Sequence, residues 1–385
     1  MSGIRVAVDA LRVRSGGGVA HLVGILDIDD ITVHGISEIH LWSYQGLLDK
    51  VPNRPWLIKH RPAEADASLL NQIVWQATML AKEIVDADCQ ILFSADATTF
   101  CRFSPAVVLS QNMLPYEEGV MSLYGLSKGR LRQRLVYEVQ KRAFRRAKAS
   151  IFLTQHAATR IQKYVGKLTD VTCIAHGVGD VFKQTNQVAV WPIHNERPIH
   201  CLYVSPVLEY KFQWTVVKAI KQLRDEGINI QITFAGGGGS RAMAMLRDQI
   251  RLSDPDREFV EILEFLAHDQ IPKLISEADL FIFASGCETF GISLLEAMAV
   301  GVPIACSNKS SLPETLRDAG EYFDPADPDT IAAALRNLIA DQKKREELAH
   351  RSKTLAKAYS WHRCATETWT YVVDTYRRLS PEQQI

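Results

Sequence analysis

No stretch of this 385-residue chain is apolar over the ~18 residues that a bilayer crossing needs, so no transmembrane helix is expected. An excess of charge is missing too. Lys+Arg and Asp+Glu are both 44 and the formal net charge is zero, so there is no chain-wide basic field of the kind that holds nucleic acid. Cysteine is sparse and unordered. The seven residues (89, 101, 173, 201, 287, 306, 364) form no C-x-x-C pair, which argues against a disulfide framework and structural zinc and for a reducing cytoplasm. The opening Met1-Ser2-Gly3-Ile4-Arg5 runs straight into a strand-like segment without a signal-peptide pattern. Internal repeats and low-complexity segments are also lacking.

What is present is ordinary globular chemistry. Hydrophobic content of 47% and charged content of 23% exclude a disordered, collagen-like or coiled-coil chain. The length predicts two or three domains. Short apolar runs alternate with amphipathic segments of helical length. Strands are predicted at 4–9, 37–43, 89–93, 106–110, 150–154 and 171–174. In the second half they are predicted at 200–205, 228–235, 258–265, 278–285, 303–306 and 320–324. Helices are predicted at 17–25, 66–85, 128–148 and 156–165, then at 213–226, 240–252, 269–277, 291–300, 311–318 and 328–341. Strands apolar throughout, separated by helices, imply parallel sheets covered on both faces. The polar stretch 183–199, with Pro192 and Pro198, reads as a linker. The expected architecture is α/β, with two Rossmann-like doubly wound domains at 1–182 and 198–360. They would be joined by the linker 183–197 and followed by a helix at 361–385 that returns to the first domain. Ligands of such domains bind beyond the carboxyl ends of the strands, and with two domains the cleft between them is the expected site.

The stretch from Ser285 to Pro303, SGCETFGISLLEAMAVGVP, carries the most information. A buried strand ends near Ala284, a Gly-containing loop follows, and a helix starts near Gly291. Glu288 and Glu296 lie eight positions apart. Two helical residues at that spacing differ by about 80° and do not share a face. With Glu288 in the loop and Glu296 in the second helical turn, both project toward one ligand. The N–H groups expected at the helix start, those of Phe290, Gly291 and Ile292, point the same way and suit a phosphate. The carboxylates suit the hydroxyls of a sugar, since each accepts two hydrogens.

This stretch resembles the E-x7-E signature of the GT-B, family 4 type retaining glycosyltransferases (glycosyl transferases group 1). Ser285, Glu288, Phe290, Gly291, Glu296, Ala297, Met298, Ala299, Gly301 and Pro303 fall on that pattern. The resemblance implies a nucleotide-diphosphate-sugar donor and an acceptor hydroxyl, with the anomeric configuration retained. It further implies that Glu288 holds hydroxyls of the donor sugar, that Glu296 holds the ribose, and that the backbone at Phe290 and Gly291 meets the diphosphate. Lys211 falls on the lysine of the family's phosphate clamp, where the usual Gly-Arg reads Ser205-Pro206, so one clamp charge is missing from its usual place. Gly237 and Gly238 would let the backbone approach the nucleotide, and Phe265 and Leu266 would read the base edge. In the first half, Gly16, Gly17 and Gly18 resemble the family loop that closes over donor phosphates and acceptor. This loop is neither G-x-G-x-x-G nor a P-loop, so NAD binding is disfavoured. His156 is placed facing the cleft. Gln111 and Asn112 stand where many relatives carry His-Asp, so no general base is assigned there. No metal-ligand spacing occurs and no metal cofactor is expected.

Residues 123–148 hold nine basic side chains against one acid, Glu138, with Leu131, Leu135 and Val139 expected on the core side. Such a helix can rest on anionic lipid, so peripheral contact with the inner face of the membrane and a glycan or lipid-linked acceptor are the expected partners. A sugar-nucleotide epimerase of similar architecture, or a non-catalytic partner subunit that keeps the cleft, are the alternative readings. The epimerase lacks the E-x7-E helix. The partner subunit draws on Pro206 and the Gln111-Asn112 pair.

Overall fold

The computed structural model describes residues 3–14, 16–187, 189–192, 196–264 and 266–379. It contains two all-parallel sheets. The first joins β1 (Ile4–Asp9), β2 (Ile36–Trp42), β3 (Leu57–His60), β4 (Ile91–Ser94), β5 (Ala106–Leu109), β6 (Ala149–Phe152) and β7 (Val171–Cys173) in the order β3-β2-β1-β4-β5-β6-β7. The second joins β8 (Ile199–Val204), β9 (Ile230–Ala235), β10 (Val260–Leu263), β11 (Leu280–Phe283), β12 (Ile304–Ser307) and β13 (Glu321–Phe323) in the order β10-β9-β8-β11-β12-β13. Both orders reverse direction beside their first strand, as in a doubly wound fold. The central strands β4 and β11 are buried at every position. Helices therefore cover both faces, which is what a parallel sheet requires.

By contacts the chain forms two compact units. The first takes the described residues of 1–121, 126–177 and 360–385, and the second takes those of 122–125 and 178–359. The final helix, Trp361–Leu379, packs on the first unit, burying Cys364, Trp369, Val372 and Val373. Trp369 Nε1 donates to the Ile25 carbonyl at 2.8 Å, and Tyr371 donates to Asp170 at 2.7 Å.

Some elements depart from the sequence reading. The edge strand β3 was not predicted, because its LIKH is only partly buried and shows no apolar run. The single helix expected at 66–85 is two, Leu69–Thr78 and Leu80–Asp86, meeting at Met79 with φ −107°. Gln342–Ala356 is a helix whose buried stripe of Arg345, Leu348, Ala349 and Ser352 is too polar to read as amphipathic. Helix Lys128–Arg146 corrects another expectation. Its packed stripe runs through Gln140, Ala143 and Phe144, whose ring stacks on Phe152 at 5.5 Å. Leu131 and Leu135 face solvent at 60% and 61% exposure, on the side that carries Arg134 and Arg142. Among the described residues no helix is long and apolar enough to cross a membrane.

Candidate active site

In the second unit, β8 runs into a loop that positions Lys211. The Lys211 carbonyl accepts from the Tyr203 hydroxyl at 2.8 Å, and its N–H donates to the Leu208 carbonyl at 2.9 Å. Phe212, in the left-handed region at φ 51°, then caps helix Gln213–Asp225. A non-glycine residue held there costs on the order of 1–3 kcal/mol, so the surrounding contacts over-determine it. One such contact is the Gly286 N–H, which donates to the Tyr210 carbonyl at 2.7 Å and ties the loop after β11 to the loop after β8. The ammonium of Lys211 pairs with the carboxylate of Glu288 and sits 5.1 Å from the centre of the Phe283 ring. Lys211 is 6% exposed, so this charge is desolvated and its pairing is obligatory.

Glu288 is held through its backbone. Its N–H donates to Ser310 Oγ at 3.0 Å, and its carbonyl accepts from Ser310 and Ser311 hydroxyls at 2.9 and 2.8 Å. Ser285 is fully buried and donates to the Cys287 carbonyl at 3.2 Å, so its hydroxyl shapes the loop. Helix Ile292–Val300 begins at Gly291, whose φ of 94° only glycine adopts readily. No side chain caps this end, so the first N–H groups have no partner from a cap. Phe290 is buried, with its ring edge against Tyr359 at 5.7 Å, and its carbonyl accepts from Thr315 at 3.0 Å.

Glu296, in the second turn, is 5% exposed. Its Oε1 lies 3.0 Å from Nε2 of His268, a partner that sequence reasoning missed. Burial pushes the Glu296 carboxyl above its ordinary value, and the His268 hydrogen bond pulls it back. The same bond raises the His268 imidazole against an opposing effect of burial.

The glycine loop after β9 corrects an expectation. A Cβ on Gly236 would lie 2.5 Å from the Ser205 carbonyl oxygen, and one on Gly238 would lie 2.4 Å from that of Val207. The close approach that demands glycine is therefore to the chain's own β8 loop, around Pro206. Gly237 and Gly238 still line a cavity of about 540 Å³ together with Arg247 and Glu264. Leu266 is half-buried, and Phe265 lies outside the described residues.

In the first unit, Gly16 opens helix Gly17–Leu26 at φ 62°, with no side-chain cap, and the Gln111 side chain packs against Gly18. His156 does not stand alone: its Nε2 is 3.0 Å from the buried Glu117, which also pairs with Arg160 at 3.4 Å. Asn112 accepts from the Leu114 N–H at 3.0 Å and shapes its own turn. At the carboxyl ends of β1 and β4 the structure adds two carboxyls absent from the sequence reading. Asp9 accepts from Gln76 and Thr99, at 2.5 and 2.9 Å, and Asp96 follows β4. Burial raises both. Among the described residues no group of three or more His, Cys, Asp or Glu converges as a metal site.

Residues 186–355 match the family model described as glycosyl transferases group 1. This region, less than half of the chain, is similar to that family. The matched region contains both carboxylates, Lys211 and the glycine-capped helix. The O-antigen chain mannosyltransferase B of Escherichia coli is 39% identical over 121 residues, 31% of this chain and 31% of that protein. Across curated relatives the matched part spans about a third to a half of their length. The fold extends further. Sucrose-phosphate synthase from Thermosynechococcus elongatus superposes with a TM-score of 0.74, at 16% identity, over 98% of this chain and 100% of that one. Anabaena HepE, solved with UDP-glucose, gives 0.71 at 16% identity over 97% of this chain and 100% of that one. The fold is GT-B, with two Rossmann-like units.

Proposed function

We propose that the protein moves a sugar from a nucleotide-diphosphate donor to an acceptor hydroxyl with retention of anomeric configuration, in the synthesis of a cell-surface polysaccharide, lipopolysaccharide or glycolipid. The observation that carries this reading is the Lys211–Glu288 ion pair beside the glycine-capped start of helix Ile292–Val300. A cation and helix N–H groups without a side-chain cap would there meet a diphosphate, and a carboxylate beside them would meet sugar hydroxyls. The bond from the anomeric carbon to the diphosphate oxygen breaks, and the bond to the acceptor oxygen forms on the same face. The acceptor proton passes to the leaving diphosphate. The dominant need is to stabilise charge on the departing oxygen, and Lys211 and the helix terminus supply it without a metal. Glu288 fixes the sugar ring and Glu296 holds the ribose. Relatives with printed roles in O-antigen and colanic acid synthesis support the choice of pathway class. HepE, solved with UDP-glucose, supports the donor class. The same reading includes peripheral contact with anionic membrane through 128–148. It is tested by incubating the protein with a panel of nucleotide sugars and measuring nucleotide diphosphate release. Release from one donor supports the reading, and release from none overturns it.

A further inference from the structure

The sequence reading gave His268 no role, yet it touches Glu296 directly. It opens a short turn, His268–Gln270, that leads from β10 into helix Ile271–Ser276. The turn is braced from within: the Ala267 N–H donates to Gln270 Oε1 at 3.2 Å. Pro272 then stiffens the first turn of the following helix. The imidazole, 70% exposed, has two side-chain contacts among the described residues. Its edge meets the buried Phe182 ring at 5.6 Å, and its Nε2 meets Glu296 Oε1 at 3.0 Å. Glu296 Oε2 takes no hydrogen bond among the described residues.

A carboxylate 5% exposed faces two problems before it can bind anything. Its side chain must be held in one rotamer, and its charge must be kept although burial favours the neutral acid. One hydrogen bond from a neighbouring cation answers both. We propose that His268 is a positioning residue for the donor nucleotide: its Nε2–H holds one oxygen of Glu296 so that the other is presented, ionised, to the ribose hydroxyls. This rests on the donor reading above and adds to it a residue outside the E-x7-E pattern. The charged groups facing the imidazole are Glu296, from helix Ile292–Val300, and Asp269 on its own turn. The contact from helix Asp180–Gln184 is the uncharged Phe182.

The pH dependence follows from the pair. The productive state has the proton on His268 and none on Glu296. Both groups are shifted upward, so the window opens above the ordinary carboxyl range and extends past the ordinary imidazole value of 6.5. Affinity falls on the alkaline side as the imidazolium loses its proton, and on the acid side as Glu296 gains one.

The test is calorimetry with UDP, GDP and ADP and their nucleosides from pH 5 to 8.5, on the full chain. His268→Ala should weaken the best diphosphate by about tenfold to a hundredfold, the range for a hydrogen bond to a charged group. It should weaken the matching nucleoside by the same factor, because the ribose is common to both. It should also flatten the alkaline limb. His268→Gln, which restores a neutral donor, should recover part of the affinity with no alkaline limb. NMR titration of His268 reads the pair without ligand: the imidazole should titrate above 6.5 in the wild type and move down in Glu296→Gln. Wild-type binding that His268→Ala leaves unchanged in strength and pH profile overturns the positioning role alone. Failure of the wild type to bind any of the three diphosphates overturns the donor reading and this proposal with it.

Discussion

At the scale of single residues, Lys211 and Glu288 each serve as the other's counter-charge and as a candidate contact for a different part of the donor. Removing either leaves the other desolvated and unpaired, so both single variants should lose stability, on the order of 1–3 kcal/mol each. Their functional losses should differ in kind. Lys211→Ala should weaken binding of a nucleoside diphosphate more than binding of the nucleoside, if the ammonium has its proposed role toward phosphate. Glu288→Gln should keep diphosphate affinity and lose transfer by roughly one to two decades, since the proposed charge-assisted bonds of Glu288 go to the sugar. Calorimetry with both ligands, alongside turnover, separates the two. Equal weakening of nucleoside and diphosphate by Lys211→Ala would mean that Lys211 holds only structure and that the phosphate site lies elsewhere. Pro206 leaves the β8 loop without the arginine that the family pattern carries, which makes Lys211 the more sensitive of the pair.

At the scale of elements, two features acquire meaning only from the packing. Helix Lys128–Arg146 turns Leu131 and Leu135 outward among its basic residues. Each basic group near an anionic surface contributes about 1 kcal/mol, and that contribution fades as the Debye length falls from ~10 Å at 0.1 M to ~3 Å at 1 M salt. Sedimentation with anionic vesicles should therefore be strong at low salt. A residue of binding should persist at high salt and disappear in a variant with Leu131→Ser and Leu135→Ser. Indifference of the wild type to anionic vesicles at low salt would show the face to be merely solvated. The second feature is the seat of helix Trp361–Leu379. His21 and His176 meet there with Nδ1 atoms 3.0 Å apart, under Trp361 and beside Cys364. Burial pushes His21 down to about 3 and His176 well below 6.5, so both are neutral when folded. The unfolded chain takes up their protons near 6.5 and the folded chain does not. Stability is therefore intact above 6.5 and is lost as pH falls below it, by about 1.4 kcal/mol per pH unit for each histidine. Asp9 and Asp96, raised by burial, act in the opposite sense as pH falls toward the ordinary carboxyl value. The thermal midpoint should drop between pH 7 and 5.5, and the drop should shrink in His21→Leu/His176→Leu. An equal drop in both proteins would rule out the pair as its source.

At the scale of the whole molecule, the alternation of apolar runs and amphipathic segments was enough to place most strands of both sheets, because a parallel strand covered on both faces is apolar throughout. The E-x7-E stretch was legible for a similar reason. Glu288, Gly291 and Glu296 lie within nine residues, and their geometry follows from one loop and two helical turns. What stayed hidden depends on contacts distant in sequence. His268 meets Glu296 across 28 positions, and His21 meets His176 across 155. The need for glycine at 236 and 238 comes from the backbone of residues 205–207. The outward turn of Leu131 and Leu135 followed from which stripe of a largely polar helix the sheet selects, and periodicity chose the wrong one. The central claim, retaining transfer from a nucleotide-diphosphate sugar, is tested most directly by NMR of the reaction with UDP-, GDP- and ADP-sugars, following diphosphate release and the anomer first formed. One donor should release its diphosphate and yield a sugar product of unchanged anomeric configuration, and Glu288→Gln should abolish most of that signal. An inverted anomer, or a donor epimerised with its diphosphate still attached, would contradict the account.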